Sequence, residues 1–219
     1  MSERSLVFTV MQIHIKQLNS PFIWETDRSD IWGKELSFCS EKSYLITAPS
    51  GAGKSTLFNL LCGLKISYTG VISWDGRPIE SFSQREVLEY RTNRMSFVFQ
   101  ELELFENLTV QENVQMLENS SKNEEIYQDW ADRVGIGFHW RTTCSSLSKG
   151  QKQRVAILRA LAKPYSFLLM DEPFSHLDYE TIEPVKSLIL EVTHQKNAGM
   201  MLFSLEEDYG MNYDAKFKL

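Results

Sequence analysis

Apolar and polar residues alternate along several short stretches of the first half of the chain, the pattern of half-buried β-strands. The first three stretches are Ser5–Lys16 (SLVFTVMQIHIK), Ile31–Ser40 (IWGKELSFCS) and Ser43–Pro49 (SYLITAP). Farther on, GVISWDGRPI carries two short β runs around Asp75 and Gly76, a dipeptide typical of tight hairpin turns. RMSFVFQ, which ends at Gln100, predicts another strand.

Helical periodicity begins after a glycine-rich loop. Leucines recur at three- and four-residue steps and predict a helix that Gly63 ends: Leu57, Leu60, Leu61 and Leu64. A helical block follows between about Thr109 and Gly137, where Thr109 is a candidate N-cap with Glu112 as its capping-box partner. In the same block, one helix face is predicted from Ile126, Trp130 and Val134.

The last third of the chain returns to alternating elements. A helix is predicted after Leu147, then the strand SFLLM, the helix IEPVKSLILEV and the strand GMMLFSL. Strands therefore flank helices at both ends of the chain, with a helical block between them. This order predicts an α/β fold with a parallel-sheet core and a helical insertion.

Composition narrows the class of protein. The chain has 219 residues, enough for one large domain, and a net charge of −6, which argues against nucleic-acid binding. Cys39, Cys62 and Cys144 are scattered, so neither a disulfide framework nor a zinc site is expected. The start of the chain lacks the apolar core of a signal peptide, and no run of about 18 apolar residues predicts a membrane span.

The stretch LITAPSGAGKSTLFNLL has the order strand, glycine-rich turn, helix that a phosphate-binding loop requires. Gly51 and Gly53 allow backbone N–H groups to turn toward phosphate oxygens, Lys54 adds a positive charge, and Ser55 offers a hydroxyl to Mg²⁺. Ala48 replaces the first glycine of the usual pattern G-x-x-x-x-G-K-[ST]. We expect this exchange to matter only if the backbone there has a positive φ.

Two carboxylates follow a second apolar run, in SFLLMDEPFSHLD. Asp171 and Glu172 are predicted at the carboxyl end of a buried strand, the edge where open α/β sheets bind ligands. One carboxylate is expected to hold Mg²⁺ through water, and the other, on the opposite side of the strand, to polarise an attacking water. Taken alone, the pair also fits a solvated strand end.

A third stretch, LSKGQKQRVAILRALAKP, predicts a helix capped by Ser148. Ala156, Ala160 and Leu161 form its apolar stripe. With Arg154 and Arg159 on it, the residues alone indicate a surface helix.

Together, these stretches resemble the ATP-binding cassette (ABC) ATPases over nearly the whole chain. LSKGQ is similar to the family signature LSGGQ, Gln100 matches the Q-loop, and SHLD (Ser175–Asp178) matches the D-loop. The resemblance implies one P-loop NTPase nucleotide-binding domain over residues 1–219. Its expected architecture is a mostly parallel sheet core, an antiparallel β part and a helical subdomain inserted at about residues 101–158.

The resemblance also implies that two cassettes enclose two ATP molecules, with Mg²⁺ as cofactor. The phosphate-binding residues of one chain are then Ser50, Gly51, Ala52, Gly53, Lys54, Ser55 and Thr56. The residues that close from the other chain are Ser148, Gly150 and Gln151. The expected metal ligands are Ser55, Gln100 and Asp171. Glu172 is the expected general base, with Gln100 and Lys54 completing the catalytic set, and Phe22 is expected to stack on adenine, with Trp24 as the alternative.

Two positions depart from the family pattern. Lys149 replaces the first glycine of the signature pair, which need not disturb the helix cap. Leu205 stands where the family has its switch histidine, and leucine neither donates nor accepts a hydrogen bond. His176 and His194 are not obvious substitutes, so we expect slower hydrolysis and retained ATP binding.

A narrower resemblance lies in the segment IESFSQREVLEYRTNRMSFVFQELELFENLTVQENV, which is similar to the cassettes of lipoprotein-release, macrolide-export and cell-division (FtsE-like) systems. It implies transmembrane permease subunits on separate chains, a second cassette as dimer partner, most simply a second copy, and no nucleic acid. The chain is then expected at the cytoplasmic face of the inner (plasma) membrane, held peripherally by those subunits.

Three functions compete at this point. The first is an ATP-hydrolysing subunit of a transporter or mechanotransmission complex. The second is an ATP-binding regulatory or structural cassette with slow or no hydrolysis, which Leu205 favours. The third, a soluble cassette of DNA repair or translation, is disfavoured by the acidic charge balance and the lack of a coiled-coil insertion.

Overall fold

The computed structural model describes residues 10–21, 23, 28–64, 66–116, 123–205 and 207–219. The strands are β1 (Gln12–Asn19), β2 (Glu35–Cys39), β3 (Ser43–Thr47), β4 (Thr69–Trp74), β5 (Arg77–Pro78), β6 (Met95–Val98), β7 (Phe167–Asp171), β8 (Gly199–Ser204) and β9 (Ala215–Lys218). The helices are α1 (Lys54–Leu61), α2 (Gln84–Asn93), α3 (Val110–Gln115), α4 (Glu124–Arg133), α5 (Lys149–Ala162) and α6 (Tyr179–Gln195). Within the described ranges, no helix has both the length and the apolar character needed to cross a bilayer.

The main sheet has the strand order β6-β7-β8-β3-β9, and all its pairings are parallel. The central strands β7 and β8 are buried along their whole length, which explains their continuous apolar sequences. Parallel strands deliver their carboxyl ends to one edge, and here Thr47 of β3 pairs with Ser204 of β8, while Asp171 of β7 pairs with Phe203. The loops after these three strands therefore meet at a single edge, as the sequence predicted for the ligand site.

A second, antiparallel sheet has the order β2-β1-β4-β5. The predicted hairpin is confirmed: β4 and β5 pair through Trp74 and Arg77, and the two turn residues have φ values of 49° (Asp75) and 80° (Gly76). Positive φ at both positions is the backbone that a tight hairpin needs, and Gly and Asp tolerate it. Strand β1 begins at Gln12, and residues 5–9 of the predicted opening strand lie outside the described part of the chain.

Helices α3, α4 and α5 lie between β6 and β7 in sequence, where a helical insertion was predicted. The capping box at the start of α3 is confirmed, because the Glu112 N–H donates to Thr109 Oγ1 and the Thr109 N–H donates to the Glu112 carboxylate. Apolar side chains of these helices, of α6 and of the main sheet form one core. The limits of a separate helical subdomain, at about residues 101–158, remain a prediction.

The predicted face of α4 is confirmed at Trp130 and Val134, which are buried, and is wrong at Ile126. Ile126 is 50% exposed, and Tyr127 takes its place beside Trp130 in the core. The Tyr127 ring packs on the Trp130 ring with centroids 5.2 Å apart, and its hydroxyl donates to the Ala162 carbonyl at 3.3 Å. A tyrosine is buried readily when its hydroxyl has a partner, so the aromatic pair sets the inward face.

Helix α5 is not the surface helix that its residues alone indicated. Its apolar residues are buried almost all round, and its arginines are used internally. Arg159 donates to the carbonyls of Leu102 (2.7 Å) and Glu103 (2.5 Å), two residues with positive φ in the loop after Gln100. Burial lowers the pKa of the Arg159 guanidinium, and carbonyl acceptors compensate for its lost hydration. Arg159 thus stabilises the loop that follows Gln100.

Candidate functional site

The loop between β3 and α1 shows why the alanine at its start is tolerated. Ala48 is buried directly after β3, its N–H donates to the Ser204 carbonyl at 3.2 Å, and its φ is not positive. Gly51 and Gly53, in contrast, have φ values of 84° and 89°. These values lie in the left-handed region, which favours glycine. The glycine requirement of this loop therefore lies at Gly51 and Gly53.

Gly53 is the N-cap of α1, and the first turn of this helix carries neither a capping side chain nor an acidic residue. The backbone N–H groups at its start are therefore available, and the positive end of the helix dipole points out of the helix there. A Cβ on Gly53 would overlap the Ile23 side chain. The start of α1 therefore has the backbone geometry and the polarity that favour an anion such as a phosphate.

The loop opens into a cleft with a volume of about 440 Å³. The cleft is lined by Ile23, Pro49, Ser50, Gly51, Gly53, Lys54, Ser55, Thr56, Gln100, Glu172, Ser175, His176 and Leu205. Most of the residues predicted for one chain's phosphate and catalytic site thus meet here. Ala52 lies in the loop turn, where its N–H donates to the Pro49 carbonyl at 3.3 Å.

Asp171 ends β7 as a buried carboxylate beside this cleft. Its Oδ2 lies 2.8 Å from Ser55 Oγ, and Ser55 Oγ lies 3.2 Å from Gln100 Oε1. Its Oδ1 has no hydrogen-bond partner among the described residues and lies 3.9 Å from Lys54 Nζ. Burial raises the pKa of Asp171, which means that its negative charge is incompletely compensated. An all-oxygen set with a single buried carboxylate fits a hard cation such as Mg²⁺.

Glu172 does not face the opposite side of the strand, as the sequence predicted. The regular alternation ends at Asp171, and Glu172 has a φ of 51°, while its N–H donates to the Phe203 carbonyl at 3.0 Å. This left-handed backbone turns the side chain back into the cleft, where its carboxylate forms a buried ion pair with Lys54 Nζ. Both carboxylates therefore flank the same lysine.

The start of α5 is shaped by a second capping box. The Gln151 N–H donates to Ser148 Oγ at 3.3 Å, and the Ser148 N–H donates to Gln151 Oε1 at 2.8 Å. A Cβ on Gly150 would lie 2.7 Å from the His176 carbonyl oxygen, so this glycine permits a close contact with the D-loop. Ser148, Gly150 and Gln151 do not line the cleft of their own chain. Their contact with ATP bound by a second chain remains a prediction.

The other positions that the sequence analysis singled out are the adenine-stacking candidates, Leu205 and the two histidines. Phe22 and Trp24 lie outside the described residues. Leu205 follows β8 and is 46% exposed in the wall of the cleft. His194 lies in the last turn of α6 and does not line the cleft, whereas His176 does. The sequence analysis considered neither histidine an obvious substitute for the switch histidine. The D-loop, however, follows β7 at the same edge of the sheet and places His176 in the cleft.

Comparison with known proteins agrees with this geometry. The sequence profile of the ABC transporter family matches residues 33–175. The ABC transporter ATP-binding protein YtrE of Bacillus subtilis (strain 168) is 33% identical over 190 residues, which cover 84% of this chain and 82% of that protein. The lipoprotein-releasing system ATP-binding protein LolD of Hahella chejuensis (strain KCTC 2396) is 31% identical over 194 residues, 85% and 83% of the two chains.

The dimeric structure of MJ0796, a bacterial ABC transporter cassette, superposes on this chain with a TM-score of 0.78 at 23% identity over 94% of both chains. At that identity the superposition shows the shared fold, a parallel sheet combined with an antiparallel one. The chain belongs to the ABC transporter family and is an ATP-binding cassette of such a transporter. Cassettes of this family dimerise and pair with transmembrane subunits.

Proposed function

We propose that this chain binds and hydrolyses ATP with Mg²⁺, and that closure of two cassettes drives transmembrane subunits on separate chains. The observation that carries the proposal is the convergence of Lys54, Ser55 and two carboxylates beside the free start of α1. This arrangement offers an anion site, a cation site and a base within one cleft. We expect the reaction to be phosphoryl transfer to water.

The contacts of Lys54 suggest how ATP binding prepares the site. Glu172 neutralises Lys54 in a buried ion pair. The terminal phosphate of ATP competes for the same ammonium group, so binding releases the Glu172 carboxylate toward the attacking water. Asp171, Ser55 and Gln100 would hold Mg²⁺, which supplies positive charge for the phosphate oxygens. Glu172 then accepts a proton from the water as general base.

The second half of each site comes from a second cassette, most simply another copy of this chain. Ser148 is exposed at the start of α5, and its hydroxyl accepts the Gln151 N–H, so its own proton is available to a phosphate oxygen. Gly150 brings a backbone N–H to the same helix start. The Gln151 amide NH₂ lies 3.0 Å from His139 Nε2, which leaves its second N–H as a donor. These groups would close over the terminal phosphate bound by the partner's loop.

A groove beside α2 is the candidate docking site for the membrane subunits. A cavity of about 840 Å³ lies there between α2 and the segment after α1, lined mainly by apolar side chains such as Leu64, Ile66 and Phe82. Leu88 of α2 contributes to this wall and is 63% exposed. We assign the groove to an apolar segment of a transmembrane subunit, which would hold the cassette at the cytoplasmic face of the inner (plasma) membrane.

Leu88→Glu is expected to weaken association with the membrane subunits about tenfold or more, since a charge would enter an apolar contact. Copurification of the tagged chain from detergent-solubilised native membranes measures this. Ile126→Glu is the matched control, because Ile126 is also an exposed aliphatic residue but lies on α4, away from the groove. Equal recovery of membrane subunits with both variants would contradict the docking assignment.

A second candidate function rests on Leu205. An ATP-binding cassette with slow hydrolysis would act through dimer closure alone, as a regulatory or structural switch. Leu205→His tests how far this position slows hydrolysis, because the half-exposed position accepts an imidazole without disturbing the core. We expect phosphate release to stay the same or to rise by up to about tenfold, the value of one added hydrogen bond. A large drop would mean that the cleft is built around leucine.

The complex purified from native membranes tests the proposed function directly. We expect phosphate release from ATP in the presence of magnesium and none above background when magnesium is chelated. ATP binding with equal phosphate release under both conditions would contradict hydrolysis by this site and favour the switch.

A further inference from the structure

The side chain of His176 lies in the cleft, and the family pattern gives this residue no role. Among the described residues that line the cleft, it is the only histidine, and it shares the wall with Glu172 and Leu205. Its side chain is exposed, so it is accessible to a bound ligand or water. The cleft therefore lacks an imidazole at position 205 but holds one at position 176.

The contacts of the His176 ring define which nitrogen carries the proton. Nδ1 lies 3.2 Å from Ser175 Oγ and 3.1 Å from Gln153 Oε1. The Ser175 hydroxyl donates its proton to the Glu172 carbonyl at 3.0 Å, so toward His176 its oxygen is an acceptor. The Gln153 amide NH₂ also points to the Glu172 carbonyl, at 3.5 Å, which leaves Gln153 Oε1 as an acceptor.

Both neighbours of Nδ1 thus accept, and Nδ1 must donate. In the neutral ring, Nε2 then carries the lone pair, and within the described part of the chain it has no hydrogen bond. Gln153 is buried in α5, so the ring is held from the same helix whose start is expected to meet the partner cassette. The ring is oriented, and its free nitrogen is a hydrogen-bond acceptor.

We propose that His176 Nε2 accepts a hydrogen bond from the water that attacks ATP and so takes over the part left open by Leu205. This inference rests on the proposed hydrolysis. In the step, the water oxygen forms a bond to the terminal phosphorus while the bond from that phosphorus to the bridging oxygen of the leaving ADP breaks. One water proton passes to the Glu172 carboxylate, and the other O–H stays directed to His176 Nε2.

Two variants separate this role from a structural one. In His176→Asn, the shorter amide can still donate to Gln153 and Ser175 but has no atom at the Nε2 position. In His176→Gln, the longer side chain places an amide group near that position. We expect kcat for ATP to fall about 10- to 100-fold in His176→Asn, with KM and ATP affinity nearly unchanged, and to recover in part in His176→Gln.

The double variant His176→Asn with Leu205→His is expected to recover turnover, because an imidazole returns to the cleft at the other position. His194→Asn is the matched control, since His194 is exposed and does not line the cleft. Thermal unfolding of each variant checks that the fold is retained.

Wild-type turnover that His176→Asn leaves unchanged would overturn this inference alone. A double variant as slow as His176→Asn would overturn the claim that His176 replaces an imidazole at position 205. Absence of magnesium-dependent turnover in the wild-type complex would overturn the proposed hydrolysis, and this inference with it.

Discussion

Replacement of Glu172 by glutamine is expected to abolish ATP turnover and to leave ATP binding in place. Glutamine has nearly the same shape as glutamate but cannot accept the proton of the attacking water. General bases contribute about 10²- to 10⁴-fold to a rate, so phosphate release should fall by that factor. Lys54 Nζ also lies 3.9 Å from Asp171 Oδ1. In this variant the buried ammonium group therefore retains one carboxylate partner and remains positioned for phosphate.

Phosphate release from the purified complex and the affinity for a fluorescent ATP analogue measure the two effects separately. Glu180→Gln is the matched control, because Glu180 lies in the first turn of α6 and is exposed outside the cleft. We also expect Glu172→Gln to accumulate a dimer in the presence of ATP, visible as a shift in light scattering. Turnover that survives the exchange would show that another group is the base.

Local patterns predicted the features that depend on neighbours in sequence. The capping box at Thr109 and the N-cap at Ser148 each join residues three positions apart, and the hairpin at Asp75 needs only its two turn residues. In such cases the side chain and the backbone group that it satisfies lie within the same turn. The local sequence therefore determined the result, and these predictions are confirmed.

Distant contacts decided the features that the sequence did not predict. Arg159 is buried because carbonyls 56 and 57 positions away accept its hydrogen bonds, and Tyr127 turns inward because the Ala162 carbonyl lies 35 positions away. No periodicity within α4 or α5 carries that information. Propensity and pattern are outweighed wherever a polar side chain finds a partner from another element.

In the candidate site, too, local motifs were predicted and features that depend on distant contacts were not. Gly51, Gly53, Lys54 and Asp171 were predicted because their motifs are contiguous, and the sheet edge brings them together as expected. The direction of Glu172 depends on a left-handed backbone at a single residue, which a strand pattern does not predict. The position of His176 depends on the path of the D-loop and on Gln153 of α5. The structure shows where the described site residues lie, and the roles assigned to all site residues, including Phe22, Ser148, Gly150 and Gln151, stay predictions.

Gly150→Ala is expected to reduce turnover strongly without lowering the ATP affinity of an isolated chain. Alanine favours a helix over glycine by about 1 kcal/mol, so without a further contact the exchange would stabilise α5. The added Cβ, however, would lie 2.7 Å from the His176 carbonyl, a backbone atom that must move. Such overlaps cost about 1–3 kcal/mol, which corresponds to roughly a 10- to 100-fold loss if dimer closure bears the cost.

Lys149→Ala is the matched control, because Lys149 is the preceding residue of α5 and its side chain is exposed. It gains helix propensity without the overlap, so its turnover should stay within about twofold of wild type, as for surface substitutions elsewhere. ATP-dependent dimerisation and phosphate release measure the difference, and nucleotide affinity in the monomer should be equal in both variants. If Gly150→Ala instead raised the melting temperature and kept full turnover, the D-loop contact would place no demand on Gly150. The N–H groups at the start of α5 would then remain available to the partner's phosphate, since alanine retains them.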